Sequence, residues 1–539
     1  MDGMKKIYIL LALTALLSAF SSCNVLDLTA VDEPTSSTFW KSEAQIQTFL
    51  NGLYDDLRNV GVYPFVLGET RGGTLKTGVS SEGESLDYAN YVTQTLSASV
   101  AGTSSWWGFY SNLLIVNQYI YKLEKECEFL SDASRNKFLA PAYGIRAYYY
   151  FLLYRTYGGV ILETEPKVLM GGISQSDYYM GRSSAKETLQ FIKDEIQRSE
   201  DAFGTDRNNS AYAWNYYATQ MLKAQVYLWS SKVTTMFQDK DKNTSGSYTP
   251  ENKTADLQVA KEALKTIIDS HKYKLLDDFG EVFTFENKAN DEIIFALYYN
   301  MDERTNGFSG LLYQVALWVG NKYGEDATTA FGNELNLSGG MHRVEYLESF
   351  VRSYDVEDSR RSAIFLEYYD KPAGASDRAF GSVVKKYLGQ VYNGVRYADA
   401  DVIIYRYADV LLTLAEVEND LGNSAEAASY LNEVRRRAYG DSSHDYTAGS
   451  KAEVELTILK ERDKELVAEG SRWFDLLRMQ DASGKPLVFS ADAAYPDTYG
   501  GTAVPVLSSA QAHMVLWPVS RTVMENDENI AQTYGYSDL

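Results

Sequence analysis

From Ile46 onward, apolar residues fall mostly at helical spacing. Ile46, Phe49, Leu50, Leu53, Tyr54 and Leu57 form one stripe, with Trp40 placed to pack the start of that helix. The spacing predicts further helices over residues 106–124, 135–157, 182–202, 211–231 and 255–270. Residues 411–438 read as a helix–turn–helix, broken at Gly422-Asn423 and restarted with Ser424 as the cap. Two stretches escape this period. Residues 61–105 are rich in Gly, Ser and Thr, and a long irregular segment is commonly functional. Residues 273–401 are mixed, with a strand predicted in DEIIFALYY at 291–299 and Gly/Asn/Asp-rich loops around Trp318.

The densest pattern is ERDKELVAEGSRWFDLLR, residues 461–478. Leu459, Leu466 and Trp473 repeat every seven residues, and Arg462 and Glu469 fall on or beside that apolar face. Gly470 predicts a left-handed stop between two helices. Glu461, Glu465 and Glu469 stack at i, i+4, which destabilises an isolated helix. Cations must offset them, and Arg435, Arg436 and Arg437 at the end of the preceding helix are the candidates. A helical hairpin closing a core is the expected role of this stretch.

These residues resemble the ER-x-x-EL-x-x-EG-x-R-x-x-DLLR signature of the SusD/RagB family, outer-membrane lipoproteins that bind nutrients, mostly glycans. Three other stretches are similar to that family. Residues 24–58 resemble its amino-terminal segment, and RNKFLAPAYGIRAYYYFLLYRTYGG resembles its R-A-x-x-Y-F helix. HMVLWPVSRTVMENDENIAQTYGY resembles its terminal motif through Pro518, Glu525, Asn526, Asn529, Gln532, Gly535 and Tyr536. The resemblance implies a mainly α fold. Tetratricopeptide-like helical hairpins would form a right-handed superhelical scaffold, with a loop-rich subdomain inserted. The hairpins show no clean 34-residue self-match. The expected organisation is a lipoprotein signal over 1–22, a tether over 23–37, an amino-terminal helical region over 38–272 with a ligand loop at 61–105, the insertion over 273–401 and a carboxy-terminal region over 402–539.

Lys5-Lys6, the apolar run from Ile7 to Phe20 and Ser21-Ser22-Cys23 read as a secretory signal that ends at a lipidated cysteine. Several acyl chains give durable anchoring where one is marginal. Cys127 is the only other cysteine, so with Cys23 lipidated no intramolecular disulfide can form. The net charge of −22 argues against nucleic-acid partners and against docking on an anionic membrane surface. Of the 539 residues 45% are hydrophobic, enough for a large core.

The chain contains no G-x-S-x-G, H-E-x-x-H, P-loop or Cys-x-x-Cys, and its four histidines lack metal-ligand spacing. No catalytic residue and no cofactor are expected; the sequence neither requires nor locates a structural calcium. Binding needs less. Aromatic rings stack on the C–H face of a sugar while Asn, Asp and Arg satisfy its hydroxyls. Aromatics on irregular sequence are the candidates, since those on helical stripes pack cores. They are Trp106 and Trp107 with Arg71 on the preceding loop, and Trp318 with Tyr298 and Tyr299 in the insertion. Trp473 and Trp517 lie in scaffold motifs and are assigned to packing. The resemblance further implies a surface-exposed lipoprotein that hands ligand to a SusC-like TonB-dependent transporter. The alternatives are a helical-repeat scaffold for protein or peptide, separable by a soluble-glycan panel, and a secreted glycan hydrolase, separable by reducing-end release.

Overall fold

The computed structural model describes residues 39–537, apart from 82, 103–105, 172–173, 175–176, 178, 234–251, 313–321, 334 and 337–341. Cys23, the signal and tether, and Trp318 lie outside the described residues. The long helices are α1 (Glu43–Asn59), α2 (Trp107–Lys125), α3 (Asp132–Tyr157), α4 (Ala185–Phe203), α5 (Tyr216–Lys232) and α6 (Lys253–Ile268). After the insertion come α7 (Tyr407–Asp420), α8 (Ser424–Tyr439), α9 (Lys451–Glu465) and the short α10 (Arg472–Arg478). Consecutive helices pack in pairs, α3 with α4, α5 with α6 and α7 with α8, and α9 lies on α7.

Local chemistry sets the helix starts. Ser184 and Ser450 each form a capping box with the glutamate three residues on, Glu187 and Glu453. Ser424 does not cap α8. Asn423 stands at that position, and the Ser424 hydroxyl donates to Asn419 Oδ1 instead. Trp40 packs α1 as predicted, 4.7 Å from the Phe49 ring. Helix α3 is the axis of the core: from Phe138 to Tyr157 every residue but Arg155 is buried, as expected of a helix apolar all round. At Gly144 a Cβ would lie 2.0 Å from Trp214 Nε1, so only glycine lets that indole lie on the helix.

The insertion contributes strands β1 (Ile293–Leu297), β2 (Phe365–Tyr369) and β3 (Phe380–Val384), and β4 (Val402–Arg406) leads into α7. β1 pairs antiparallel with β4, Ile293 opposite Arg406 and Leu297 opposite Val402; β2 pairs with β3. Among the described residues the 61–105 segment is irregular apart from short helices at Tyr63–Gly68 and Ala89–Val92; its first part is not a surface loop, whereas Val79 and Val100 farther on are exposed. Glu69, Thr70, Arg71 and Thr74 are buried, and Lys76 and Asp87 donate backbone N–H groups to Glu345 and Arg343 of the insertion.

The three stacked glutamates are held by cations from across the chain. Glu461 meets Arg435 at 2.7 Å and Arg360 at 2.6 Å. Glu465 meets Arg360, Arg406 and Arg437 at 3.0, 2.6 and 2.5 Å, and Glu469 meets Arg406 and Lys386 at 2.8 and 2.5 Å. Arg436 is not among them; it points outward and pairs with Asp445, because successive helix positions face different ways. Helix α9 ends at Glu465, before Gly470. Gly470 (φ +77) instead lets the turn cross the short helix at 63–68, where its Cβ would sit 2.0 Å from the Pro64 carbonyl oxygen.

Burial alone would raise Glu465, but Arg437, Arg406 and Arg360 hold it well below its ordinary value of 4.5. A depressed carboxylate contributes stability that is complete above the unfolded value and is lost as pH falls below it. Glu465→Ala leaves three guanidiniums facing one another and should lower the unfolding free energy by about 3–5 kcal/mol in denaturant titrations. Glu465→Gln should flatten the loss of stability that the native protein shows below about pH 4.5.

Candidate functional site

An extended backbone sends successive side chains to opposite faces. Tyr298 and Tyr299, leaving the end of β1, therefore part company. Tyr299 is 2% exposed and its hydroxyl donates to the Arg58 carbonyl at 3.2 Å, so it is a packing residue and not the ligand contact predicted from sequence. Tyr298 is 40% exposed. Its ring stands edge-on to Tyr212 at 5.0 Å, with Lys288 Nζ 4.9 Å from its centre.

Tyr298 opens onto a cleft of about 330 Å³ between α1 and β1. Asn51, Tyr54, Asp55 and Arg58 line it from α1, and Tyr212, Tyr298 and Glu303 face them. Arg58 is forked between Asp55 at 2.7 Å and Glu303 at 2.5 Å, and donates to the Tyr298 carbonyl at 3.3 Å. Beneath, Asp401 accepts the Tyr212 hydroxyl at 2.7 Å and the Tyr299 N–H at 3.0 Å, and pairs with Lys288 at 3.1 Å. Burial pushes the Asp401 carboxyl up; Lys288 and these hydrogen bonds pull it back. Two tyrosines are thus fixed in orientation before any ligand arrives. The cleft offers aromatic surface, carboxylate acceptors and an amide, the set that suits a polyhydroxylated ring.

The remaining predicted residues do not gather here. Arg71 is buried. It donates to Gln94 Oε1 at 2.8 Å and to the Met514 carbonyl at 2.6 Å, and its guanidinium lies 4.1 Å from the Trp473 ring and 5.5 Å from Trp517. Burial lowers it to about 10. Trp106 is 3% exposed, edge-on to Tyr110 and Tyr157, because it sits at the N-cap of α2 facing α3. Both are core residues, which corrects their assignment to ligand. Trp107 opens α2, and its side chain lies outside the described residues, as does Trp318. Trp473 and Trp517 pack in the core as expected.

Sequence reasoning missed Asn51, Tyr212, Arg58 and Glu303. A faint signal existed: Asn51, Asp55 and Arg58 recur at i, i+4, i+7, a polar stripe beside the apolar stripe of α1. Among the described residues, the carboxylates of Glu416, Asp420 and Glu455 cluster closely enough to hold a metal ion. The Lys232 ammonium stands among them, 3.0 Å from Glu416 and 2.7 Å from Asp420, and supplies the positive charge.

The sequence model of the SusD family matches residues 200–536. The chain belongs to the SusD family. A second family model, described as starch-binding and associating with the outer membrane, matches residues 26–228 of this SusD family member. A solved SusD superfamily protein of Bacteroides fragilis is 34% identical, covering 93% of this chain and all of that one with a TM-score of 0.82. NanU of B. fragilis is 29% identical, covering 94% of this chain and all of its own, with a TM-score of 0.77. A SusD-like protein of Formosa agariphila is 26% identical over 89% of this chain and 93% of its own.

The two adjacent tyrosines make a direct test of the site's geometry. Tyr298→Ala should change stability by less than about 1 kcal/mol, as at other surface positions. Tyr299→Ala should remove about 3–5 kcal/mol, as for other buried aromatics. Thermal and denaturant unfolding of the two variants decide it; equal losses would mean that Tyr298 too is a packing residue.

Proposed function

We propose that this SusD family protein captures glycan at the cell surface and delivers it to a SusC-like TonB-dependent transporter. The observation that carries the reading is Tyr298, an exposed ring held edge-on to Tyr212 over a cleft rimmed by Asn51, Asp55 and Glu303. The description of the amino-terminal family model as starch-binding supports the ligand class, and its association with the outer membrane supports the location. An oligosaccharide ring lies with its C–H face on Tyr298 while its hydroxyls donate to the carboxylates and Asn51. Capture, not hydrolysis, is the role: Asp55 and Glu303 both bind Arg58, an arrangement suited to fixed acceptors.

Calorimetry with a panel of soluble oligosaccharides tests this. One class should bind, and Tyr298→Ala should weaken it by about 2 kcal/mol or more, as for a hot-spot aromatic, with no reducing ends released. Binding that Tyr298→Ala leaves unchanged would remove the cleft from the reading. No binding across the panel would favour the protein- or peptide-binding alternative.

On this reading Cys23 carries the lipid; it and the tether expected over residues 23–37 lie outside the described residues. A captured oligosaccharide cannot cross a bilayer unaided, so a barrel partner is needed. Purification of the lipidated protein in mild detergent should recover one large outer-membrane barrel in near-equal amount. Recovery as a free monomer with the transporter expressed would contradict the delivery step.

A further inference from the structure

Two arginines interrupt the apolar surface of α3 between Phe138 and Tyr157: Arg146 pairs with Glu195 at 2.7 Å, whereas Arg155 makes no ion pair. Its guanidinium is sandwiched between Phe151 at 4.2 Å and Phe474 at 3.9 Å. Among the described residues it has no hydrogen bond and no carboxylate at ion-pair distance, Asp475 acting on it only from farther away, and its Nε is buried without a partner. Burial lowers it only to about 10, so the group stays charged at neutral pH.

Arg155 lines a partly open cavity of about 70 Å³ between α3, β4 and the 466–478 turn. A single water needs only about 10–15 Å³ of such space. Tyr405 lines it too; it is 3% exposed, and its hydroxyl also lacks a partner. The other charged groups on the wall are satisfied, in part by residues beyond it: Arg406 also binds Glu292 and Glu465, and Arg478 binds Glu416. Asp475 accepts from Arg462 and Arg478, Asp409 from Arg462, Thr413 and Gln225, and Glu469 from Arg406 and Lys386. Arg155 is thus the guanidinium on this wall without a paired carboxylate, and the groups left over are donors.

We propose that this cavity is an anion site, in which a halide-sized monovalent ion, chloride under ordinary conditions, bridges the Arg155 guanidinium and the Tyr405 hydroxyl. Water would satisfy the donors but would leave the Arg155 guanidinium without a paired counter-charge. An anion balances it and accepts from both donors. The two phenyl rings offer the cation their faces and leave the guanidinium edge, where the N–H groups lie, for the ion. The ion would pair Arg155 where the 461–478 signature meets α3.

Bromide is the probe. Crystals of the native protein soaked in sodium bromide should show an anomalous peak within hydrogen-bonding distance of Arg155 and Tyr405. In solution, replacing gluconate by bromide at constant ionic strength should raise the native melting temperature relative to Arg155→Met, by about 1 °C per tenfold rise above the dissociation constant. Bromide found only on the outer surface, or the same bromide dependence in native protein and variant, overturns the proposal. If the variant does not fold, the anomalous map of the native crystals decides alone.

Discussion

Glu465 is fully buried and touches three guanidiniums, and the rest of the molecule is arranged around that fact. An ion taken from water is stable in an interior only when its partners are close and their remaining hydrogen bonds are made. Here the partners come from distant parts of the chain. Arg360 and Lys386 belong to the insertion, Arg406 ends β4, and Arg437 lies in the last turn of α8. Glu292, just before β1, binds Arg406 at 2.8 Å and Arg437 at 3.2 Å. Glu461, Glu465 and Glu469 thus clamp helical scaffold, insertion and central sheet into one body.

The clamp reaches the candidate site through the sheet. Arg406 stands opposite Ile293 in the β1–β4 pair, so the network fixes one end of the two strands. At the other end Asp401 binds the Tyr299 N–H, the Tyr212 hydroxyl and Lys288, and the alternation of the strand then turns Tyr298 outward. On its second side the network sets the turn at Gly470, against which the start of the 61–105 segment packs and carries Arg71 between Trp473 and Trp517. The irregular segment is therefore foundation in its first half, not binding loop.

That distinction was hard to read from sequence. Helices, the packing roles of Trp40, Trp473 and Trp517, and two of the three arginines at the end of α8 were legible, because each follows from local spacing. Gly, Ser and Thr announce irregular backbone at 61–105, but small residues also allow backbone to pack closely inside, and composition does not separate the two. Arg71 and Trp106 were misplaced for that reason. Adjacent tyrosines read alike in the sequence, whereas the strand end buries Tyr299 and exposes Tyr298. Arg360, Arg406 and Lys386 carry no local signal; only the tertiary fold brings them to the glutamates. The cleft is assembled in the same way, from a helix stripe, a loop tyrosine and a strand end.

In the proposed function the rigid frame presents Tyr298 as a platform for a sugar ring. A crystal structure with a bound oligosaccharide, of the class selected by calorimetry, tests it most directly. The expected result is a ring stacked on Tyr298 in the cleft, with hydroxyls within hydrogen-bonding distance of Asn51, Asp55 or Glu303 and with Tyr212 and Asp401 unmoved. An oligosaccharide bound elsewhere on the surface, with the Tyr298 cleft empty, would contradict it.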